Sequence, residues 1–323
     1  MGWPRCTAVL LISAMTLGSI PRSIVGVAAQ EPAPVRCGVE MRNVRLHLAD
    51  DVVLAVRSLD GEFIGPSRGG PPVFDDPRSY TLRMKSADLA MDTASLTALI
   101  TRALGSGTAP VHDVTVTIEK GALQVHGTLK KGVSVPFSMQ AEVSAAPDGS
   151  MRLHAKSLKA VGVPVKGLLD LVGVDVADLM KAPPGSGIRA DGDDLLIDTT
   201  AILPPPRTEG KLQQVAIVEQ RLTMRMTGTA APPARPATLP LPRARNYLYF
   251  FGGSIRFGKL TMSDADMQLI DADPRDPFDF FPARYEAQLI AGYSRNTPRH
   301  GLQVFMPDYA RAAKGGQPLP PPR

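Results

Sequence analysis

The sequence is poor in cysteine, in aromatic residues and in runs of one charge. Cys6 and Cys37 are its only two cysteines in 323 residues. Cys6 falls inside an N-terminal apolar stretch with the pattern of a removable leader, which leaves Cys37 without a disulfide partner. Pro34-Val35-Arg36 before Cys37 lacks the small-residue context that lipid attachment needs. Aromatics make up 5% of the chain with a single Trp, so aliphatic side chains and 13 methionines must fill the interior. No Lys/Arg block with interleaved aromatics occurs, which argues against a nucleic-acid partner. The net charge of +5 suits peripheral contact with an anionic membrane surface.

Signatures of catalysis are missing as well. There is no Gly-x-Ser-x-Gly elbow, no phosphate-binding glycine loop and no dinucleotide fingerprint. The five histidines (His47, His112, His126, His154, His300) are scattered, none at metal-ligand spacing, and read as solvated strand residues. The one acidic concentration runs through Asp264, Asp266, Asp271, Asp273, Asp276 and Asp279. Asp271, Asp273 and Asp276 are the candidates for a cation site. The central glycine and closing glutamate of an EF-hand loop are missing, and Arg275 interrupts, so no metal is expected. No cofactor is implied, and an enzymatic reading would need a cleft with convergent acids around Asp264 to Asp279. Phe278, Phe280 and Phe281 beside these acids read as a loop anchor, with a membrane wedge as the alternative.

What the sequence does contain is a pattern of export and of strands. Arg5, the apolar stretch Ala8 to Ile20 and the small residues Val27-Ala28-Ala29 form a secretory signal pattern over 1–29, too short to span a bilayer comfortably. A secreted, periplasmic or cell-envelope location is therefore expected. A β-rich main domain with two helices is expected over 30–228. It is followed by a Pro/Ala-rich linker at 229–245, a C-terminal α/β segment at 246–310 packed on the main domain, and a disordered tail at 311–323.

Alternating apolar residues mark strands at Val39 to Leu48, Val52 to Leu59 and Tyr80 to Met91, the last with a phase shift at Lys85-Ser86 that a bulge or a strand break would produce. From Val111 to Leu203 an antiparallel meander is expected, with turns at Lys120-Gly121 and Pro147-Asp148-Gly149. Met84, Met91, Met139, Met151, Met224 and Met226 all fall on apolar strand faces. Lys211 to Val218 and Arg221 to Thr227 read as a hairpin around Glu219-Gln220. Ser254 to Met262 reads as one strand, and Arg284 to Tyr293 as a helix with Tyr285, Leu289, Ile290 and Tyr293 on one side.

Two amphipathic helices are legible in the main domain. The first follows an Asp92 or Thr93 cap and carries Leu96, Leu99, Ile100, Ala103 and Leu104 at helical spacing. The second runs from Pro164 to Lys181. Its main stripe includes Leu168 and Val172, while Leu171 and Val174 fall on a flank, so the helix is apolar on more than one side.

The central stretch resembles the LmeA-type family of exported phospholipid-binding proteins. The carriers are Val125-His-Gly-Thr-Leu129 with Val133-Ser-Val-Pro-Phe137, the Pro-Asp-Gly turn at 147–149, Gly162-Val-Pro-Val165 and Asp191-Gly-Asp-Asp-Leu-Leu-Ile197. The resemblance covers Val39 to Thr227 and leaves the Pro-rich and Phe-rich C-terminal segments outside. It implies a curved antiparallel sheet with helices enclosing apolar ligand space, similar to tubular lipid-binding domains.

The expected fold is thus α+β: a long curved antiparallel β-sheet, completed from Val39–Met91, the meander and Lys211–Thr227, with a few amphipathic helices on one face. The expected function is non-catalytic binding of lipid or another apolar ligand between sheet and helices. Leu96, Leu99, Ile100, Met139, Leu168, Leu171, Val172, Val174 and Met224 are the candidate contacts. The alternative is an envelope scaffold that docks a partner through the Pro-rich linker and the aromatic C-terminal segment.

Overall fold

The computed structural model describes residues 33–315 and 318–319, except 68, 106–110, 132, 161–162, 165–184 and 193. The predicted signal and the expected helix from Pro164 to Lys181 thus lie outside the described residues, Pro164 itself excepted. The architecture is α+β and dominated by antiparallel sheet.

The first sheet begins with β1 (Arg36–Ala49), β2 (Val52–Ile64) and β3 (Thr81–Met91), three long strands joined as a meander. Along β1, Cys37, Val39, Met41, Val44 and Leu46 are buried. The alternation changes phase at Asn43, whose φ is 52°. The phase shift in β3 is a bulge and not a strand break: Asp60 pairs with Ser86 and Gly61 with Met84, which leaves Lys85 unpaired. β11 (Arg207–Glu209) lies parallel beside β3, and the hairpin β12 (Lys211–Val218) and β13 (Arg221–Thr227) extends the same sheet. Glu219 and Gln220 turn that hairpin at positive φ, 47° and 59°.

The C-terminal strands join the other side. β14 (Tyr247–Phe251) pairs with β1 and with β17 (Asp266–Asp271); β20 (Leu302–Met306) and β19 (Tyr293–Asn296) follow. β18 (Phe278–Phe280) runs parallel beside β1. The sheet order is β12-β13-β3-β2-β1-β14-β17-β20-β19.

Chain 111–197 forms a sheet of its own, a correction to the single sheet expected from the sequence. It contains β4 (Val111–Glu119), β5 (Ala122–Lys131), β6 (Val133–Ala145), β7 (Met151–Ala160), β8 (Val163–Pro164), β9 (Ile188–Asp191) and β10 (Asp194–Ile197). Their order is β4-β5-β6-β7-β10-β9, with β8 beside β7. The separation follows from α1 (Thr93–Leu104), which leads the chain away from β3, so that β13 and not β4 takes the free edge of β3. Asp92 caps α1 by accepting a hydrogen bond from the Ser95 amide at 2.8 Å. The two sheets share one core, in which Leu96 and Leu99 of α1 and all six of the strand-face methionines are buried.

Three local expectations are corrected. Pro164 itself pairs with Lys159 as part of β8 and is not helical. Ser254 to Met262 is a hairpin, β15 (Ser254–Phe257) with β16 (Leu260–Ser263), which forms a small separate sheet. Of the 284–293 segment, Arg284 ends a 3₁₀ turn (Pro282–Arg284), the α-helix α2 covers only Tyr285–Ile290, and Tyr293 opens β19. Its buried face carries Tyr285 and Gln288, with Leu289 and Ile290 exposed. Gln288 decides this orientation: its amide donates to the carbonyls of Asp279 and Pro307 and accepts from the Phe281 amide. A short α3 (Tyr309–Ala312) closes the described chain.

Candidate functional site

The apolar side chains of the second sheet meet the end of α1 in a groove. Ile100 and Leu104 come from α1, Val111 and Val114 from β4, Val125 from β5, and Phe137 and Met139 from β6. Leu153 and Leu158 of β7, Ile188 of β9 and Leu195 of β10 complete the lining. The alternation of each strand sets this face. Leu195 pairs with Leu153 and Val125 with Met139, so the large side chains fall in register across strands. All eleven described lining residues are apolar.

The cavity volume is about 80 Å³, and about 690 Å³ when counted out to the open mouth. A cavity of about 150 Å³ takes benzene, and drug-sized ligands occupy about 300–1,000 Å³. The enclosed part is thus too small to swallow an acyl chain, and the larger figure includes open solvent, so any chain held here would lie along the mouth of the groove.

Of the candidates read from the sequence, Ile100 and Met139 meet in this groove. Leu96, Leu99 and Met224 are buried in the common core and do not line it. Leu168, Leu171, Val172 and Val174 lie outside the described residues. The sequence-level choice missed Leu104, Val111, Val114, Val125, Phe137, Leu153, Leu158, Ile188 and Leu195. Most of these sit on the apolar phase of strands already legible as strands. What was missing was the knowledge that these strands share one face with the end of α1.

A second apolar cavity, also about 80 Å³, lies under the first sheet. Leu203, Pro204, Pro205 and Pro206 close one side, and Phe63, Phe74, Tyr80 and Leu82 the other. A larger polar cleft of about 500 Å³ gathers Asp148, Ser150, Arg189, Asp198, Thr200 and Lys211. Much of its hydrogen bonding is internal. Asp148 accepts from the amide and hydroxyl of Ser150 and from Arg189, which hold its carboxyl down at about 2. Asp198 accepts from the Thr200 amide and hydroxyl and from the Ala201 amide. Despite its size, this cleft has the chemistry of a braced turn region.

Titratable groups elsewhere are committed to structure. His47 bonds Asp279 at 2.7 Å and stacks on Phe281 with ring centroids 5.3 Å apart. Its ring is bonded to no Ser, Thr or Cys among the described residues, so no nucleophile accompanies the pair. Burial pushes Asp279 up, but the hydrogen bond and charge of His47 outweigh it and the net shift is down. His154, expected to be merely solvated, pairs with Asp194 at 2.7 Å. Phe278, Phe280 and Phe281 are all buried against their own domain.

Two of the three acids weighed as a cation site are committed to other partners. Asp271 accepts from the side-chain amide of Asn246 and from the Asp273 amide, while Asp273 pairs with Arg275. Among the described residues no group of three or more His, Cys, Asp or Glu is placed to hold a metal ion. Burial pushes the Asp271 carboxyl up to about 6 from an ordinary 3.8, against the two amides that favour its charged form.

The raised acid fixes the sign of its pH effect. Between pH 3.8 and about 6 the folded state keeps a proton that the unfolded chain has lost, so this site's contribution to stability falls as pH rises through that window. A shift of about two units corresponds to about 3 kcal/mol. A carbon-13 titration of the Asp271 carboxyl is expected to show a midpoint near 6; a midpoint in the ordinary carboxylate range would refute it.

Three kinds of known protein bear on this chain's identity: protein-family models, curated proteins and solved structures. None matches. Among the described residues no helix is long and apolar enough to cross a membrane.

Proposed function

We propose that this chain is an exported cell-envelope protein that binds a lipid or another apolar ligand, without catalysis, along the groove of the second sheet. The carrying observation is the groove itself: eleven described apolar residues from seven elements around an open mouth. Isolated apolar residues at a surface need no explanation, but a contiguous apolar concavity is costly to leave in water unless something covers it. Methionine and branched aliphatic walls adapt to chains of varied length. Val125 and Phe137, which carry part of the resemblance to the LmeA-type family, both line the groove. The signal pattern at 1–29 supports export, and the net charge of +5 supports peripheral contact with an anionic membrane. Because the enclosed volume is small, the ligand in this reading lies along the groove, with one side left toward its mouth.

Two measurements test the reading. Organic extraction of the purified full chain followed by mass spectrometry is expected to release lipid, and a fluorescent acyl probe is expected to bind saturably. Leu158 is half-buried, so Leu158→Glu places a carboxylate in the groove without emptying the core. It is expected to weaken probe binding by about tenfold or more, since a buried unpaired polar group costs at least 1–3 kcal/mol. A protein that carries no lipid and takes up no probe would sink the proposal.

A further inference from the structure

The Pro/Ala-rich stretch 229–245 forms no strand or helix, and it lies across the outer face of the first sheet. Beneath it runs a single row of residues. Glu40 of β1 pairs with Tyr249 of β14, Tyr249 with Gln268 of β17, and Gln268 with Gln303 of β20. Three of these four side chains bind the strap. Glu40 pairs with Arg235 at 2.8 Å. Gln268 accepts from the Leu241 amide at 2.7 Å and donates to its carbonyl at 3.4 Å. Gln303 donates to the Pro240 carbonyl at 2.6 Å. On the flanks, Glu62 accepts from the Ala231 amide and Arg299 donates to the Thr238 carbonyl.

The apolar contacts follow the same logic. Leu239 and Ala244 pack on Tyr247, Tyr249 and Phe251, a cluster distinct from the main core. Gly252, at φ 58°, leaves a seat for Pro233: a Cβ there would lie 2.6 Å from the proline ring. Glu40 and Glu62 are only 4% and 0% exposed although they face outward from the sheet. Tyr247 donates to Glu40 at 2.5 Å, and burial, then that bond, raises its phenol and keeps it a donor.

This is how proline-rich peptides are recognised. The prolines fix φ and contribute no amide donors, so the receptor reads exposed carbonyls, aromatic faces take the apolar side chains, and one acid anchors an arginine. We infer that the outer face of the first sheet is a docking groove for proline-rich, arginine-bearing peptides, filled in cis by residues 229–245 and able to take an equivalent segment in trans when the strap is loosened. Tethering gives the strap an effective concentration on the order of millimolar. In the intact protein the strap therefore excludes a dilute free peptide.

The test uses a fluorescent peptide with the sequence of residues 229–245 and the full chain. The double variant Arg235→Glu, Leu239→Ser is expected to bind it at least tenfold more tightly than the parent protein, by anisotropy. A peptide with glutamate in place of Arg235 is expected not to bind. Should the variant fail to fold, the parent chain with protease sites inserted at 228/229 and 245/246, cut after purification and dialysed to free the strap from both tethers, gives the same comparison. A folded variant or cut protein that binds the peptide no better than the parent would overturn the inference. So would equal binding of the glutamate-bearing peptide.

Discussion

Phe250→Ala is expected to cost about 3–5 kcal/mol of folding stability, because truncating a buried phenylalanine adds a cavity to the lost transfer energy. Phe250 is fully buried on the inner face of β14. Its ring meets Phe63 of β2 at 5.9 Å, Phe74 at 5.5 Å and Phe257 of β15 at 5.3 Å. Phe74 in turn meets Phe280 and Tyr285. In a chain with so few aromatics, this one cluster joins the first meander, the loop after β2 and the C-terminal strands. Its loss should lower the melting temperature by several degrees and loosen the C-terminal segment first. Hydrogen exchange that stays as slow in β14 and β17 as in the parent protein would contradict this role.

Gly253→Val is expected to be at least as damaging. Gly253 has φ of 58°, and a Cβ there would lie 1.9 Å from the Arg36 carbonyl oxygen. The left-handed conformation alone costs roughly 1–2 kcal/mol for an L-residue, more for a β-branched one. Backbone cannot step aside here as a side chain would, since Arg36 is paired with Ile64 of β2 and β1 is held by β14 from Gly38 onward. The variant should express mostly as unfolded or aggregated protein. Gly69→Ala is the useful control: its φ is also positive, at 86°, but nothing lies within 4 Å of a Cβ there. If the two substitutions cost the same, the clash with Arg36 is not the cause.

Cys37 shows how far burial alone decides chemistry. Its thiol is fully buried, and desolvation pushes it up to about 12, with a backbone hydrogen bond at Phe251 pulling the other way. Such a thiol has almost no thiolate at neutral pH and behaves as a small apolar side chain.

Local features were legible because local physics sets them. The Asp92 cap and the spacing of Leu96, Leu99 and Ile100 fix α1 and its buried face. The phase break around Lys85 in β3 reports a bulge. Alternation in β5, β6 and β7 shows which side chains share a face, and so identifies the wall of the groove strand by strand. In the 284–290 segment the apolar pattern misled, because Gln288 bridges three backbone groups, of Asp279, Phe281 and Pro307, on the two segments that flank its helix. A buried polar residue with three good partners outweighs a stripe of leucine and isoleucine.

By itself, then, the sequence determined where strands and the first helix lie, which faces are apolar, and that methionine and aliphatic residues fill the interior. Tertiary structure alone decided which strands are neighbours. Period-two alternation selects a face but never a partner, since every ladder is made of the same backbone groups. The pairing of β1 with β14 joins residues about two hundred positions apart, and it brings Glu40, Tyr249, Gln268 and Gln303 into one row under the proline-rich strap. The same is true of the groove, whose wall was visible in each strand but whose shape exists only where α1 meets the second sheet.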